Sequence, residues 1–441
     1  MKYLRRFATE AEYNAFKEGD DYVTPNVILV GENVDYNPAP PPPLYIEAIE
    51  NLTIQFGNTY EYSKDNVTWT SATSSTSISA NAGERVFFRA SGLDASSSTG
   101  IGTFTIKNGR CNVGGNIMSM ADGADYISNT SITRNYQFYQ LFRNATTLVD
   151  ASRLLLPATT LADHCYSYMF QNCTSLVNAP ALPATTLTNR CYRFMFQNCT
   201  SLVNAPALPA TTLSFGCYNS MFESCTSLTT APELPATALA DSCYSNMFNG
   251  CTSLVNAPAL SATALAYACY SYMFQNCTSL VNAPALPATT LTDNCYYYMF
   301  YGCISLVNAP ALPAMTLASS CYSNMFYGCT SLVSAPALPA TKMTNFCYSN
   351  MFNGCTSLVN APALPATTLS YGCYNNMFNG CTKLNYIKAM FTTTPSTTYL
   401  QNWVSGVSPT GTFVKNSAAT WADTFGTSAI PEGWTVELAD E

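Results

Sequence analysis

Residues 165–190, CYSYMFQNCTSLVNAPALPATTLTNR, set a pattern that returns at Cys191, Cys217, Cys243, Cys269, Cys295, Cys321, Cys347 and Cys373, each time after 26 residues and with no insertion or deletion. A fixed period of this size means one supersecondary unit per repeat. Each unit is unable to bury its apolar face alone and stacks on the next. Half of the chain is therefore expected to form a solenoid, and the rest to supply an anchor, a spacer and two ends.

Within one repeat, the near-constant residues Leu161, Cys165, Tyr166, Met169, Phe170 and Cys173 fall in one arc of about 180° when plotted at about 100° per residue. The variable positions 163, 164, 167, 168, 171 and 172 fill the other arc, as an amphipathic helix requires. The residue before the second cysteine is Asn172, Asn198, Ser224, Gly250, Asn276, Gly302, Gly328, Gly354 and Gly380 in turn. Mostly Asn and Gly, it reads as a left-handed cap ending the helix near residue 171. Leu176, Ala179 and Ala181 or Leu182 can then face inward on an extended leg. Pro180 lacks the amide a central strand would donate, so a strand of about three residues is expected. The predicted fold class is an α/β solenoid on a leucine-rich-repeat plan, with 26-residue coils each holding a short helix and a short strand, preceded by a small antiparallel β domain.

The flanking sequence divides around this array. Residues 1–37 read as an N-terminal anchor, with a capping box at Thr9-Glu10-Ala11-Glu12, a helix ended by Gly19, and a strand-like run over 22–36. Residues 38–43 form a polyproline spacer, which extends rather than folds. Residues 44–120 alternate in short runs (Leu52–Phe56, 67–69, Arg85–Arg89, 102–106) separated by Asn, Gly and Ser turns, which suggests a β-sandwich-like domain. Residues 121–160 hold a linker and a degenerate capping repeat in which Leu141-Phe142 stands where Met169-Phe170 stands and Gln137 and Ala145 replace the cysteines. The solenoid covers 161–381, where the pattern stops, and 382–441 form a β-rich C-terminal cap.

Composition narrows the function. Charged residues are 10% of the chain, against about 25% in an ordinary soluble domain. From 161 to 381 the charges are Asp163, Arg190, Arg193, Glu223, Glu233, Asp241, Asp293 and Lys342. A net charge of −8 argues against nucleic acid or anionic membrane as the main partner. No apolar run is long enough for a membrane span. The N-terminal residues have a basic start but no apolar core segment, so no Sec signal peptide is expected, and the protein is expected to act inside its cell or to leave by another route, such as lysis with a virus particle. No enzyme is expected and no cofactor: His164 is the one histidine, paired carboxylates are absent from the array, and no phosphate loop or dinucleotide fingerprint occurs.

Nineteen cysteines allow two readings, a disulfide across each Cys-x7-Cys or a buried ladder. On a helix, positions eight apart lie about 12 Å apart, beyond the roughly 7 Å limit for a bridge. Cysteine is also a small apolar residue suited to a tight core. Reduced, stacked cysteines (Cys165, Cys173, Cys191, Cys199, Cys217, Cys225 and their equivalents) are expected in the structural core with Phe170 and Leu176. No metal site is expected, because the spacing is not that of a zinc ligand set.

The outer face is where specificity can vary. Tyr168, Phe194, Tyr272 and Tyr298 occupy one repeat position, with Phe215, Tyr267, Tyr297, Tyr301, Tyr327 and Tyr371 nearby. Exposed aromatic side chains among Asn and Ser suit glycan stacking or protein contact, and packing between neighbouring coils is the alternative for the same rings.

The sequence MFxNCTSL followed by a Leu-Pro turn, carried by Phe170, Cys173, Leu176 and Pro183 and their equivalents, resembles the BspA-like leucine-rich repeats of bacterial surface proteins. The opening KYLRRFATEAEYNAFKEGDDYVTPNV resembles the N-termini of structural proteins of tailed, crAss-like phages of gut bacteria. The resemblances imply a virion fibre or capsid decoration protein, docked on a capsid or other structural protein through its N-terminus and contacting host-surface or mucosal glycan or protein through the solenoid. Fibres are often trimeric, so a homotrimer is one expectation. The alternative they imply is a bacterial surface adhesin.

Overall fold

In the computed structural model, which describes residues 6–7, 29–30, 40–90, 100–393 and 395–439, the repeat has no helix. Left-handed backbone recurs every fourth residue instead: His164, Tyr168 and Asn172 in one coil, Arg190, Phe194 and Asn198 in the next, and onward to Gly372, Asn376 and Gly380. Between these points the amides alternate. Those of Cys165, Ser167, Met169, Gln171 and Cys173 each bond the carbonyl three residues back, closing a run of tight turns. Those of His164, Tyr166, Tyr168, Phe170 and Asn172 bond the carbonyls of Asn189, Cys191, Arg193, Met195 and Gln197 in the following coil, at 2.8–3.0 Å. This turn leg replaces the expected helix. The physical reason is spacing. Equivalent rings in successive coils lie 5.5–6.1 Å apart, whereas helix axes cannot approach closer than about 8 Å. An α-helix would also use its amides internally and leave none for the neighbour.

The constant residues nevertheless face inward. Tyr166 stacks on Tyr192 at 5.7 Å and the column continues coil by coil to Tyr374. Phe142, Phe170 and Phe196 begin a parallel column that ends at Phe378. Met169, Leu176 and both cysteine positions are fully buried beside them. Leu182 is buried whereas Ala181 is exposed, which decides the inward position left open above. The repeat region fits a leucine-rich-repeat-like solenoid.

The extended leg is shorter than expected. Each coil contributes an isolated parallel bridge, as in Asp150–Asn178, Asn178–Asn204 and Asn204–Thr230, rather than a three-residue strand. Prolines at 180 and 183 follow it, and a residue without an amide cannot extend a ladder.

The chain divides into two compact units, Met1–Pro41 and Pro42–Glu441. In the first, β1 (Arg6–Phe7) pairs in parallel with β2 (Leu29–Val30). The capping box at 9–12, Gly19, the remainder of the 22–36 run and Pro38-Ala39 lie outside the described residues.

In the second unit, β3 (Tyr45–Ala48), β5 (Tyr60–Ser63), β6 (Thr70–Ala72), β8 (Arg85–Arg89), β10 (Cys111–Asn116) and β11 (Leu148–Leu155) form one sheet, ordered β11-β10-β3-β8-β5-β6. β4 (Leu52–Phe56), β7 (Ile78–Ala80) and β9 (Phe104–Lys107) form another, ordered β7-β4-β9. Three expectations need correction here. The run 67–69 is a turn, because the Asp65 carboxylate accepts the amides of Val67 and Thr68 at 2.8 and 2.7 Å, and the strand starts at Thr70. The 102–106 run becomes a strand only at Phe104. The proline spacer does not reach residue 43, because the Pro42 carbonyl accepts the Asn116 amide and Pro43 bridges Asn116. Gly115, at φ +81°, is required there, since a Cβ would meet the Pro43 oxygen at 2.0 Å.

The two ends continue the coil lattice rather than merely flank it. β11, in the degenerate repeat, pairs in parallel with β10. Phe104 packs on Phe56 and stacks on Phe142, so the phenylalanine column starts inside the β domain. After Cys381 the pattern persists for a further turn leg, because Tyr374, Asn376, Phe378 and Gly380 donate to Tyr399, Gln401, Trp403 and Ser405. Trp403, at the methionine position, closes both aromatic columns, 6.3 Å from Tyr374 and 6.2 Å from Phe378. β12 (Tyr386–Ala389), β13 (Thr412–Lys415) and β14 (Thr435–Leu438) then form a parallel sheet.

Left-handed backbone costs an L-residue with a Cβ about 1–2 kcal/mol. Ala268 sits at φ +50°. Ala268→Gly should therefore stabilise the protein by up to about 1 kcal/mol after the entropy of glycine in the unfolded chain is offset, read as a higher urea midpoint. A lower midpoint would mean that the turn leg does not require this conformation.

Candidate binding surface

The turn leg has two faces because its side chains alternate between core and solvent around each tight turn. Cysteine, Tyr, Met and Phe point in. The residues equivalent to 163, 164, 168 and 171 form mostly half-exposed or exposed columns along the outside, one residue per coil, whereas the column at 167 is largely buried, at Ser167, Ser245, Ser271, Ser323 and Ser349. The column at Tyr168 reads Tyr168, Phe194, Ser220, Asn246, Tyr272, Tyr298, Asn324, Asn350 and Asn376, and every member has left-handed backbone.

Of the ten aromatic residues expected on this surface, Phe215, Tyr267 and Tyr371 are exposed, at 42%, 51% and 54%. The other seven, Tyr168, Phe194, Tyr272, Tyr297, Tyr298, Tyr301 and Tyr327, are half-buried, because rings in one column lean on each other at the coil spacing. They collect into separate clusters. In the central one, Tyr272 stacks on Tyr298 at 5.0 Å, Tyr297 meets Tyr298 edge-on at 4.4 Å, and Tyr301 stacks on Tyr327 at 4.8 Å. Burial, then the neighbouring Tyr297, pushes the Tyr298 phenol up to about 12, so it is a neutral donor at physiological pH. Towards the C-terminus, Tyr371 pairs edge-on with Phe346, which the sequence reading did not single out.

At the N-terminal end, Tyr168 stacks on Phe194 at 4.7 Å and meets Tyr139 edge-on. Tyr136 stacks on His164 at 4.5 Å. Guanidinium groups lie on these rings: Arg190 over Phe215 at 4.6 Å, Arg193 over Phe194 at 4.5 Å, and Arg143 5.8 Å from Tyr168. His164 is held below its usual pKa by burial and then by Arg190. It is half-buried. Tyr136, Tyr139 and the three arginines were missed as site residues. Their signal was positional: the arginines occupy the same outer positions as the aromatic residues, and the tyrosines appear once the degenerate repeat is aligned at an offset of 28 residues, as Phe142 to Phe170, in place of 26.

The sparse carboxylates of the array have structural work. Asp163 accepts the Asn189 amide at 3.0 Å, Asp241 that of Tyr267 at 3.0 Å, and Asp293 that of Ser319 at 2.8 Å, tying each coil to the next. Among the described residues no group of His, Cys, Asp or Glu could hold a metal ion. Asn172 and Asn198, in Asn-Cys-Thr triplets, bond along an asparagine ladder, to Asn144 and Asn172.

All nineteen cysteines are free and buried. The second one in each coil has a definite partner. Cys199 Sγ donates to the Phe170 carbonyl of the preceding coil at 3.1 Å, and the same contact recurs from Cys173 through Cys381.

Residues 159–281 and 269–400 match the BspA type leucine rich repeat region (6 copies). The matched span is more than half of the chain. The protein belongs to the BspA-type leucine-rich-repeat family. Among curated proteins none matches the chain. BspA-type repeat proteins are surface-associated, and the family places this chain with surface-binding repeat proteins. For this BspA-type chain the variable outer columns of the turn leg are the part free to differ from coil to coil.

Burial pushes the Cys165 and Cys225 thiols up to about 12, so at pH 8 neither thiolate nor access is available. Iodoacetamide should leave the repeat cysteines of the native protein unmodified, and should modify them all in guanidinium, counted by intact mass. Alkylation of the native array would contradict the buried ladder.

Proposed function

We propose that this BspA-type protein is a non-enzymatic, surface-displayed binding protein that holds glycan or protein on an opposing surface through the aromatic clusters of its turn leg. The observation that carries this reading is the central cluster of Tyr272, Tyr297, Tyr298, Tyr301 and Tyr327, five half-exposed phenols gathered on three successive coils. Tyrosine offers a flat apolar face and a polar tip in one side chain, which suits the alternating CH faces and hydroxyls of a sugar. An asparagine and serine background at the same positions adds donors and acceptors without adding charge.

The narrower assignment is display on a virion as a fibre or decoration protein, with residues 1–37 as the anchor. Its support is the resemblance of the N-terminal stretch. A bacterial surface adhesin is the second reading, and family membership favours it. Mass spectrometry of purified phage particles separates the two: the protein is expected among the structural components of the particle, and its recovery from a bacterial envelope alone would select the adhesin.

Replacing Tyr272 and Tyr298 together by Ser should weaken binding to intact mucosal or host surfaces about tenfold or more while leaving the circular dichroism of the array unchanged. Unaltered binding would remove this cluster from the interaction.

A further inference from the structure

Two sets of arginines stand apart among the described residues. In the β domain, arginines are neutralised: Arg85 and Arg153 by Glu47, Arg89 by Glu61 and Arg110 by Glu50. On the turn leg, Arg143, Arg190 and Arg193 have no carboxylate partner among the described residues. The nearby acids are otherwise engaged, Asp163 with Asn189 through both of its oxygens and Glu223 with Gln197. Arg193 reaches the amide oxygen of Asn219 at 3.3 Å, and the buried Nε of Arg143 has no acceptor. Three guanidinium groups thus converge on one aromatic cluster in an array that is otherwise almost free of charge.

We infer that the cluster of Arg143, Arg190, Arg193, Tyr168, Phe194 and Phe215 is a distinct binding site for anionic carbohydrate, a saccharide carrying carboxylate or sulfate groups. This inference rests on the binding role proposed above and gives that role a substrate class at one place. Rings hold the sugar faces, and the guanidinium forks, held by cation–π contact, take the anionic groups in bidentate fashion. An acidic peptide fits the charges but not the surface. The backbone amides of the turn leg are already committed within the coil or to the next one, so no strand edge is open to add a peptide chain. Recognition must be by side chains alone.

The test uses the full chain and four probes: polygalacturonic acid, dextran sulfate, neutral dextran and poly-glutamate, followed by titration calorimetry. The two acidic polysaccharides should bind, more weakly as salt rises, and neutral dextran should not bind at this cluster. Arg190→Gln with Arg193→Gln should reduce acidic-sugar affinity about tenfold or more, and the Lys pair should recover part of it. Preference for polygalacturonate over dextran sulfate identifies carboxylate as the anion; the reverse identifies sulfate. Poly-glutamate binding as tightly as either polysaccharide, equal binding of neutral dextran, no binding of any probe, or indifference to the Gln pair would each overturn the inference. Arg143→Gln supplies a second variant should the pair unfold. The Tyr272→Ser, Tyr298→Ser variant keeps the two readings apart: it should leave acidic-sugar affinity intact, and loss of surface binding in that variant with no effect of the arginine changes would reject this site alone.

Discussion

The structure depends on a division of labour among backbone amides. In the turn leg every second N–H closes a tight turn and every other one crosses to the next coil. The first set bends the chain back on itself within four residues, and the second fixes the distance between coils. Neither set would suffice alone. Turns without cross-links would leave a coil with no neighbour to bury its face against, and cross-links without turns would give a flat strand with no thickness. Left-handed backbone at every fourth residue is the cost of combining the two, and it explains why Asn, Gly and Ser recur at positions 164, 168 and 172 and their equivalents.

From this spacing the rest follows. Identical side chains meet at 5.5–6.1 Å, a distance at which aromatic rings stack in parallel-offset contact and at which identical charges would repel strongly. That is a physical reason for a core of Tyr, Phe, Met and Cys and for a charge content near 10%. It also explains why the remaining aspartates accept amides from the adjoining coil rather than stand free. The cysteines suit the same lattice: small enough for the tightest columns, and able to donate a weak S–H bond to a carbonyl that a larger apolar residue would leave with one partner fewer. At both ends the columns are closed by aromatic groups: Phe104 and Phe56 continue the phenylalanine column into the β domain, Phe138 caps the tyrosine column, and the larger Trp403 closes both beyond the last cysteine, so no coil presents a bare core.

The period, the inward residues and the left-handed position at Asn172 were legible in the sequence because each leaves a repeating residue type. The expected helix does not form because the repeat's own spacing is not helical. Leu161, Cys165, Met169 and Cys173 are spaced by four, not by the mean of 3.6 that a helix needs. On a helical plot they drift steadily, yet stay within one broad arc and so pass for an amphipathic face. Asn and Gly at 172 and its equivalents read as one cap, whereas at 164 and 168 the recurring Asn, Gly and Ser are interspersed with His164, Tyr168, Arg190, Phe194 and Ala268, which share the conformation and obscure it. The aromatic surface was legible as composition but not as geometry. Which rings stand free and which lean on a neighbour depends on the coil spacing, and the arginine cluster becomes visible only when residues separated by 26 positions are placed side by side.

The strict register has a consequence for how such a surface can change. Every coil presents the same core residues to its neighbours, so a coil gained or lost by recombination between near-identical repeats leaves the core contacts at both junctions unaltered. What alters is the separation between the arginine-bearing coils and the tyrosine-bearing ones, in steps of about 5 Å. The array is in that sense a ruler with movable marks, and the distance between two anchoring points on a long ligand is a quantity that copy number can set without any new side chain.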